Sequence, residues 1–183
     1  MSNSDRKLFL LRHFADISIA CAKPGLYEDT PIFDFEYPDF DLNEAKKMKN
    51  DIRNFLYDYY ADLGRKQVSE EDHKRRLRLL ATTLTRRYKH MLYEQRYRLG
   101  IAQLTVNMFL KLLWSAGFIN APHHCPFDNE VKRKIARLSG DGWFECWNEF
   151  TTMRDYEKYV SAAKKAAFRE KLSIAEWDIK YFH

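Results

Sequence analysis

Apolar residues recur at intervals of three and four along most of this chain, which is the spacing of helices that bury one face. Six glycines and five prolines in 183 residues are few, and this favours long helices over many short strands joined by turns. The pattern predicts helices over 5–21, 43–63, 70–96, 101–116, 128–138, 155–169 and from 173 to near the C-terminus. We therefore expect an all-α fold, a compact bundle of seven or eight helices.

Two of these predicted helices stand apart in their polarity. The segment 101–116 has little polar face, so we expect it to be the central, buried helix. The segment 70–96 is the longest and follows Ser69, a good N-cap residue. It carries three acidic residues in its first turn, where the helix dipole favours negative charge. Its outer side is basic, so the sequence predicts one long basic helix next to an apolar one.

Residue types that begin and end helices mark several of the other boundaries. Asn43 is the predicted N-cap of the second helix, and Gly64 is its predicted end. Asp155 is the predicted N-cap of the helix that runs to about residue 169. Ser173 followed by Glu176 predicts a capping box at the start of the last helix.

No internal repeat, low-complexity tract or flexible linker interrupts the chain, so we expect one domain over residues 1–183. The alternative is a subdivision into an acidic, aromatic part, 1–64, and a basic helical part, 65–183. Within the first part, the segment 26–42 combines acidic and aromatic residues with two prolines. This composition predicts an ordered loop or a short strand pair.

Charge is distributed unevenly along the chain. Residues 24–62 contain ten acidic and four basic residues, a balance of −6, whereas residues 65–137 contain sixteen basic and six acidic residues, a balance of +10. The second region attracts a polyanion and the first repels one. The asymmetry predicts contact with nucleic acid in the middle of the chain. The alternative is an ordinary basic protein surface.

The cysteines and the hydropathy of the chain indicate the cellular compartment in which the protein is expected. Cys21, Cys125 and Cys146 form no Cys-x-x-Cys pair, and an odd, scattered set suits a reducing compartment better than a disulfide framework. No apolar run approaches the roughly 20 residues that a membrane-spanning helix needs. The sequence therefore predicts a cytoplasmic protein that has no membrane partner.

The basic side of the segment 70–96 is the first candidate for binding. Residues three or four apart, or multiples of that, share one side of a helix. The candidate nucleic-acid-binding side chains in and just beyond this segment are Arg75, Arg78, Arg86, Lys89, Arg96 and Arg98. They suit the backbone of a nucleic acid, which gives salt-sensitive binding that is blind to sequence. The alternative is a solvated face that is partly paired with the acidic segment 28–44.

The second candidate is a glycine turn that opens the apolar helix. Glycine allows close backbone approach, and the first N–H groups of a helix can hold a phosphate. We therefore expect Gly100, Ala102 and Gln103 to bind a strand through their backbone. A single acidic residue, Asp128, follows after a loop that contains two prolines.

This arrangement resembles the helix-hairpin-helix DNA glycosylase superfamily. The run Arg98-Leu99-Gly100-Ile101-Ala102 stands where that family has its hairpin, and Asp128 lies 24 residues after Leu104, in the range where the family's catalytic Asp occurs. The resemblance covers residues 98–137, about 40 of 183. Ala102 replaces the family's second hairpin glycine. Leu104 occupies the position of its nucleophilic lysine, so a lysine-dependent reaction is excluded there.

The resemblance implies a monofunctional hydrolase. Asp128 would cleave an N-glycosidic bond by stabilising a cationic sugar or activating water, with no cofactor. The target base would leave the stack and lie against aromatic side chains. The implied pocket residues are Asn107, Lys111, His124, Phe127, Trp143 and Trp147, with Phe144 a further member of the aromatic platform. The alternative for Asp128 is the N-cap of the following helix.

Histidine and cysteine side chains at residues 123–125 raise the question of a metal. Both types bind zinc, but adjacent side chains point in different directions, and no Cys-x-x-Cys or His-x-x-x-His spacing supports His123, His124 and Cys125. The sequence therefore predicts no metal. A histidine that caps a carbonyl or acts as a base beside Asp128, and a buried inert thiol, are the favoured interpretations. A metal-dependent hydrolase is a third hypothesis.

These observations together predict a nucleic-acid-binding protein, with DNA favoured, that resembles a DNA glycosylase. The alternative is a non-catalytic interaction or inhibitor protein of a microbial or phage conflict system. In that hypothesis the acidic aromatic segment 26–42 is the working surface, and it docks on a basic protein partner or mimics nucleic acid.

Overall fold

The computed structural model describes residues 3–22, 32–34, 41–65, 68–139, 144 and 146–181. Within these residues it has seven α-helices, two 3₁₀ turns and one isolated β-bridge, which confirms the all-α fold. The chain divides into two compact units, Met1–Tyr97 (unit 1) and Arg98–His183 (unit 2). The subdivision that the composition suggests after residue 64 lies inside unit 1.

Unit 1 is built on three helices. They are α1 (Asn3–Cys21), α2 (Leu42–Leu63) and α3 (Glu70–Tyr88), with 3₁₀ turns at Lys89–Met91 and Tyr93–Gln95. α1 packs against α2, and α2 packs against α3. The core is formed by apolar side chains at helical spacing, which include Met48, Ile52, Leu56, Leu77, Leu80 and Leu84. Burial of such side chains, each contributing about 1.5–3 kcal/mol, holds α2 and α3 together.

The first cap in unit 1 differs from the prediction by two residues. Asp41, not Asn43, is the N-cap of α2: its backbone is extended, and its carboxylate accepts a hydrogen bond from the Asn43 N–H at 2.7 Å. Both residue types make good caps, so the sequence alone favoured the wrong one. Gly64 does end α2, and the Ser69 hydroxyl caps α3 by accepting from the Asp72 N–H at 3.0 Å.

The predicted helix 70–96 ends early, at Tyr88. Beyond it, Leu92 forms an antiparallel bridge with Phe33, and backbone hydrogen bonds of 3.1 and 3.0 Å flank the bridge. Glu94 and Gln95 then adopt left-handed backbone conformations with φ of 52° and 54°. The helix stops because the chain pairs with a segment about sixty residues earlier, which helical periodicity cannot reveal. Apart from residues 32–34, 41 and 42, the segment 26–42 lies outside the described residues.

Unit 2 contains four helices. They are α4 (Leu99–Ser115), α5 (Asn129–Ser139), α6 (Met153–Arg169) and α7 (Ile174–Tyr181). α6 contacts each of the other three. Twelve of the seventeen residues of α4 are buried, which confirms the predicted buried helix.

The predicted N-cap of α6 is wrong, and the predicted capping box of α7 is confirmed. The N-cap of α6 is Thr152, whose hydroxyl accepts from the Asp155 N–H at 3.3 Å; Asp155 lies in the first turn and accepts from that hydroxyl in return. The prediction placed the cap three residues late. Ser173 and Glu176 form the predicted capping box, with hydrogen bonds of 3.2 and 2.8 Å.

Candidate functional site

Gly100 lies in the first turn of α4 and is buried. Its N–H donates to the Phe150 carbonyl at 3.0 Å, and a Cβ built on it would lie 1.7 Å from the Trp147 carbonyl oxygen. A glycine is therefore needed here because the backbone of residues 147–150 packs directly onto the start of the helix. The predicted phosphate contact through this N–H is wrong, since a carbonyl of the protein already occupies it.

The neighbours of Gly100 are equally inaccessible. Ala102 and Gln103 are completely buried, and only 2% of Arg98 is exposed. The Gln103 amide pairs with the backbone of Phe127 in both directions, at 2.8 and 3.1 Å. The prediction that Arg98, Ala102 and Gln103 contact a strand is wrong for this reason. The side chain of Gln103 instead fastens the loop before α5 to α4.

Two of the predicted pocket residues, Asn107 and His124, do meet, through the Tyr156 hydroxyl in the interior of unit 2. The Asn107 amide donates to the Cys125 carbonyl at 2.9 Å and to the Tyr156 hydroxyl at 3.2 Å. That hydroxyl lies 2.7 Å from His124 Nδ1, and Asn107, His124 and Tyr156 are all completely buried. Such a network satisfies polar groups that water cannot reach. It positions the loop 124–127 against α4 and α6, and its side chains are buried where a base would have to enter.

The predicted aromatic platform is also interior. The Phe127 ring lies 5.6 Å from Tyr156 and 5.4 Å from Tyr159, centroid to centroid, and no part of Phe127 is exposed. Phe144 and Trp147 are 6% and 4% exposed. Phe127 and Phe144 both pack against Tyr159, and Trp147 is buried, so their prediction as a stacking surface is wrong; Trp143 lies outside the described residues. The spacing of aromatic residues along the chain is the same in an exposed cluster and in a buried one, so the burial of these rings could not be predicted.

Asp128 is the N-cap of α5. Its Oδ1 accepts from the Val131 N–H at 2.8 Å, and its backbone carbonyl accepts from the Lys132 N–H at 2.9 Å. The side chain is half-buried. This geometry agrees with the alternative interpretation of Asp128, in which its carboxylate caps the N-terminus of the following helix. Catalysis by Asp128 stays a prediction that this arrangement does not favour.

Lys111 forms a buried ion pair instead of lining a pocket. Its Nζ lies 2.6 Å from Oδ2 of Asp178, and the two side chains are 11% and 3% exposed. Burial raises the pKa of Asp178, and the nearby Lys111 ammonium acts against this rise. Sequence analysis missed Asp178. Its position one turn after the buried Ile174 is the signal that could have found it, because that position faces the core.

Lys74 pairs within α3 with Glu70 and Glu71. The other basic residues of α3, taken together with Lys89 just beyond its end, fall into two groups. One group is paired with carboxylates: Arg76 with Asp62, and Arg87 with Asp51 at 2.8 Å. Both acidic residues belong to α2, so these pairs join the two helices. The predicted pairing with the acidic segment 28–44 is represented in the described residues by Glu44, which contacts His90.

The second group faces outward and forms what we call the basic face. It consists of Arg75, Arg78, Arg86 and Lys89, all of which are exposed. Arg75 makes an ion pair within the helix, to Asp72 at 2.5 Å. The other three have no carboxylate partner among the residues that the structure describes. The prediction that these four side chains share one side of the helix stays a prediction; their exposure is compatible with it, and Arg96 is exposed as well.

The predicted strand-binding site is thus split. The basic face and Arg96 belong to unit 1, whereas Arg98, Gly100, Ala102 and Gln103 belong to unit 2. The residues of unit 1 are exposed to solvent, and those of unit 2 are interior. Only the first set can contact a macromolecule.

The three side chains of the His-His-Cys run lie in different surroundings. His123 is exposed, His124 is buried beside Tyr156, and Cys125 is buried. Burial raises the pKa of the Cys125 thiol well above its ordinary value, which makes it a poor nucleophile. Within the described parts of the chain, no three His, Cys, Asp or Glu side chains are grouped as metal ligands.

Comparison with known proteins found no match: no protein-family model, curated protein or solved structure is similar to this chain. The resemblance to helix-hairpin-helix glycosylases therefore stays a prediction. Among the described helices, none combines the length and the apolar composition that crossing a bilayer requires.

Proposed function

We propose that this protein binds nucleic acid through the basic face of unit 1, without reading base sequence. One observation carries the proposal. Arg78, Arg86 and Lys89 are exposed and have no carboxylate partner in the described residues, although other arginines of the same helix are paired. A cation left in water retains its full attraction for a phosphate, whereas an arginine already held by a carboxylate must first lose that partner.

The dimensions of the basic face suit a phosphate backbone. Arg75 and Lys89 are fourteen residues apart, which corresponds to roughly 20 Å along a helix. A duplex strand carries one phosphate per about 3.4 Å of axis, so the face spans about six phosphates. The ion pair between Arg75 and Asp72 costs little to open, since exposed pairs contribute about 0–1 kcal/mol.

The other exposed side chains on this side of α3 favour sequence-independent binding. Leu79 and Thr82 lie between the cations, and both are exposed. Asn and Gln, the side chains that pair with adenine in the major groove, do not occur in α3. Contacts from Arg and Lys to phosphate position a protein on nucleic acid but carry no sequence information.

Neutralisation of the basic face tests the proposal. Fluorescence anisotropy with a labelled DNA duplex would compare the wild type with the Arg78→Gln/Arg86→Gln variant. The matched control is Lys46→Gln/Lys47→Gln, because these two exposed lysines of α2 also belong to unit 1. We expect the first variant to bind much more weakly and the control to bind like the wild type. Equal affinities of the two variants would overturn the proposal, and the same titration with RNA would identify the favoured nucleic acid.

Hydrolysis of an N-glycosidic bond is not part of this proposal. Asp128 caps α5, and the side chains expected around it pack in the core of unit 2. The hypothesis of a protein partner that docks on the segment 26–42 also stays a prediction, because most of that segment lies outside the described residues.

A further inference from the structure

A cleft of about 660 Å³ opens on unit 2, between residues 121–123, the C-terminal half of α6 and the start of α7. Its volume falls within the range of about 300–1,000 Å³ that small-molecule sites occupy. Ala167 and Ile174 are buried lining residues and form its apolar floor. Most of the other lining residues are exposed, so the cleft is open to solvent.

A tight turn at the end of α6 builds this floor. The Leu172 N–H donates to the Ala167 carbonyl, and the Lys171 N–H donates to the Phe168 carbonyl, both at 3.1 Å. Lys171 adopts the left-handed conformation with φ of 58°. This is the Schellman arrangement, which reverses the chain and brings its apolar residue against the helix. The two hydrogen bonds fix the turn that carries Leu172 and Ser173 into the lining of the cleft.

Phe168 and two lysines form the wall of the cleft. The Phe168 side chain is 84% exposed, more than any other large apolar residue that the structure describes. Lys164 and Lys165 precede it by four and three residues, so their side chains are its neighbours on the helix surface. All three residues line the cleft. An accessible ring beside two cations offers both stacking and charge.

We propose that this cleft binds a nucleotide, with the base against Phe168 and the phosphate at Lys164 and Lys165. A flat ring can stack on an exposed phenyl group and cover the apolar floor, and two ammonium groups neutralise a phosphate. An acyl anion carries the same sign of charge but has no flat ring to stack on Phe168, so it serves as a control ligand in the test below. The shared chemistry, a base joined to a phosphate, can come from a free nucleotide or from an unstacked nucleotide of a single strand.

Charge places the phosphate at the lysines and not at the start of α7. The Glu176 carboxylate already accepts from the N–H and hydroxyl of Ser173, at 2.8 and 2.7 Å. A second anion at that helix end would meet this carboxylate and be repelled. The ligand therefore has its anionic end on α6.

Calorimetric titration of the full chain with adenosine 5′-monophosphate tests the site. We expect Phe168→Ala to weaken binding by roughly 5- to 100-fold, the range for loss of one base–aromatic stack, and Phe168→Trp to retain it. Lys164→Gln and Lys165→Gln should each weaken it too. The controls are Phe9→Ala, an exposed phenylalanine of α1, and Arg154→Gln, an exposed arginine near the start of α6.

A second ligand distinguishes a free nucleotide from a nucleotide of a single strand as the preferred occupant of the cleft. A short oligothymidylate that binds more tightly than the mononucleotide, and depends on Phe168, identifies a single strand; the reverse order identifies a free nucleotide. The proposal is overturned if neither the mononucleotide nor the oligothymidylate binds. It is also overturned if inorganic phosphate or decanoate, an acyl anion, binds the Phe168→Ala variant as tightly as the mononucleotide binds the wild type. The site does not depend on the basic face. Binding of the mononucleotide by the Arg78→Gln/Arg86→Gln variant therefore tests it independently.

Discussion

Lys111 Nζ lies 2.6 Å from Asp178 Oδ2 in the interior of unit 2, and this ion pair joins α4 to α7. A charge that loses its partner in such a place is costly, and removal of one member of a buried pair typically destabilises by about 3–5 kcal/mol. We predict a loss of that order in the free energy of unfolding for Asp178→Asn and for Lys111→Met. Urea unfolding at neutral pH measures it.

The double variant Lys111→Met/Asp178→Leu is the matched control. Because it removes both charges and leaves apolar side chains, we expect it to be more stable than either single variant. Single variants as stable as the wild type would show that the pair is not buried in solution.

Gly100 gives a second test of the packing in unit 2. We predict that Gly100→Ala destabilises by about 3 kcal/mol or more, because the added Cβ would meet the Trp147 carbonyl oxygen at 1.7 Å. Gly64→Ala is the control: its Cβ would lie 3.5 Å from the Ala61 carbonyl oxygen, and its φ of −74° suits alanine. Thermal unfolding should separate the two clearly. Equal stability would mean that residues 147–150 do not cover the start of α4.

Substitutions of Asp128 distinguish a helix-capping role from a catalytic role for this residue. Asp128→Ala should cost about 1 kcal/mol of stability, as loss of an N-cap does, whereas Asp128→Asn and Asp128→Ser should retain most of it. Incubation with duplexes that contain modified bases should produce no abasic sites with any of these proteins. Abasic sites formed by the wild type and lost in Asp128→Asn would restore the glycosylase hypothesis.

Glu176 makes stability depend on pH in a defined direction. Its hydrogen bonds from the Ser173 side chain and backbone lower the pKa of Glu176 below 4.5. Since the folded state has the lower pKa, the charged carboxylate stabilises the fold above that pH, and the contribution is lost as the pH falls through the folded-state value. Glu176→Gln should therefore melt below the wild type at about pH 7, and the difference should shrink as the pH falls below the ordinary pKa of a glutamate. A difference that does not change with pH would contradict this.

Local features of the fold could be predicted from the sequence. Ser69 and the pair Ser173–Glu176 begin their helices as expected, because capping depends on residues three positions apart. The exposure of Arg78 and Arg86 on the outer side of α3 likewise follows from helical spacing.

Features that depend on distant segments could not be predicted. α3 ends at Tyr88 because the following residues pair with Phe33, and Gly100 is inaccessible because residues 147–150 cover it. A glycine before an apolar helix has the same local pattern whether its N–H groups face solvent or another part of the chain. The predicted site failed in unit 2 for that reason.

The salt dependence of DNA binding tests the central claim most directly. For each phosphate contact, the slope of log affinity against log salt concentration changes by about −0.9. Three or four contacts by the basic face predict a slope of about −3 to −4 for the wild type and a slope shallower by about 2 for Arg78→Gln/Arg86→Gln. A slope in this variant equal to that of Lys46→Gln/Lys47→Gln would contradict the assignment of the basic face as the nucleic-acid-binding surface.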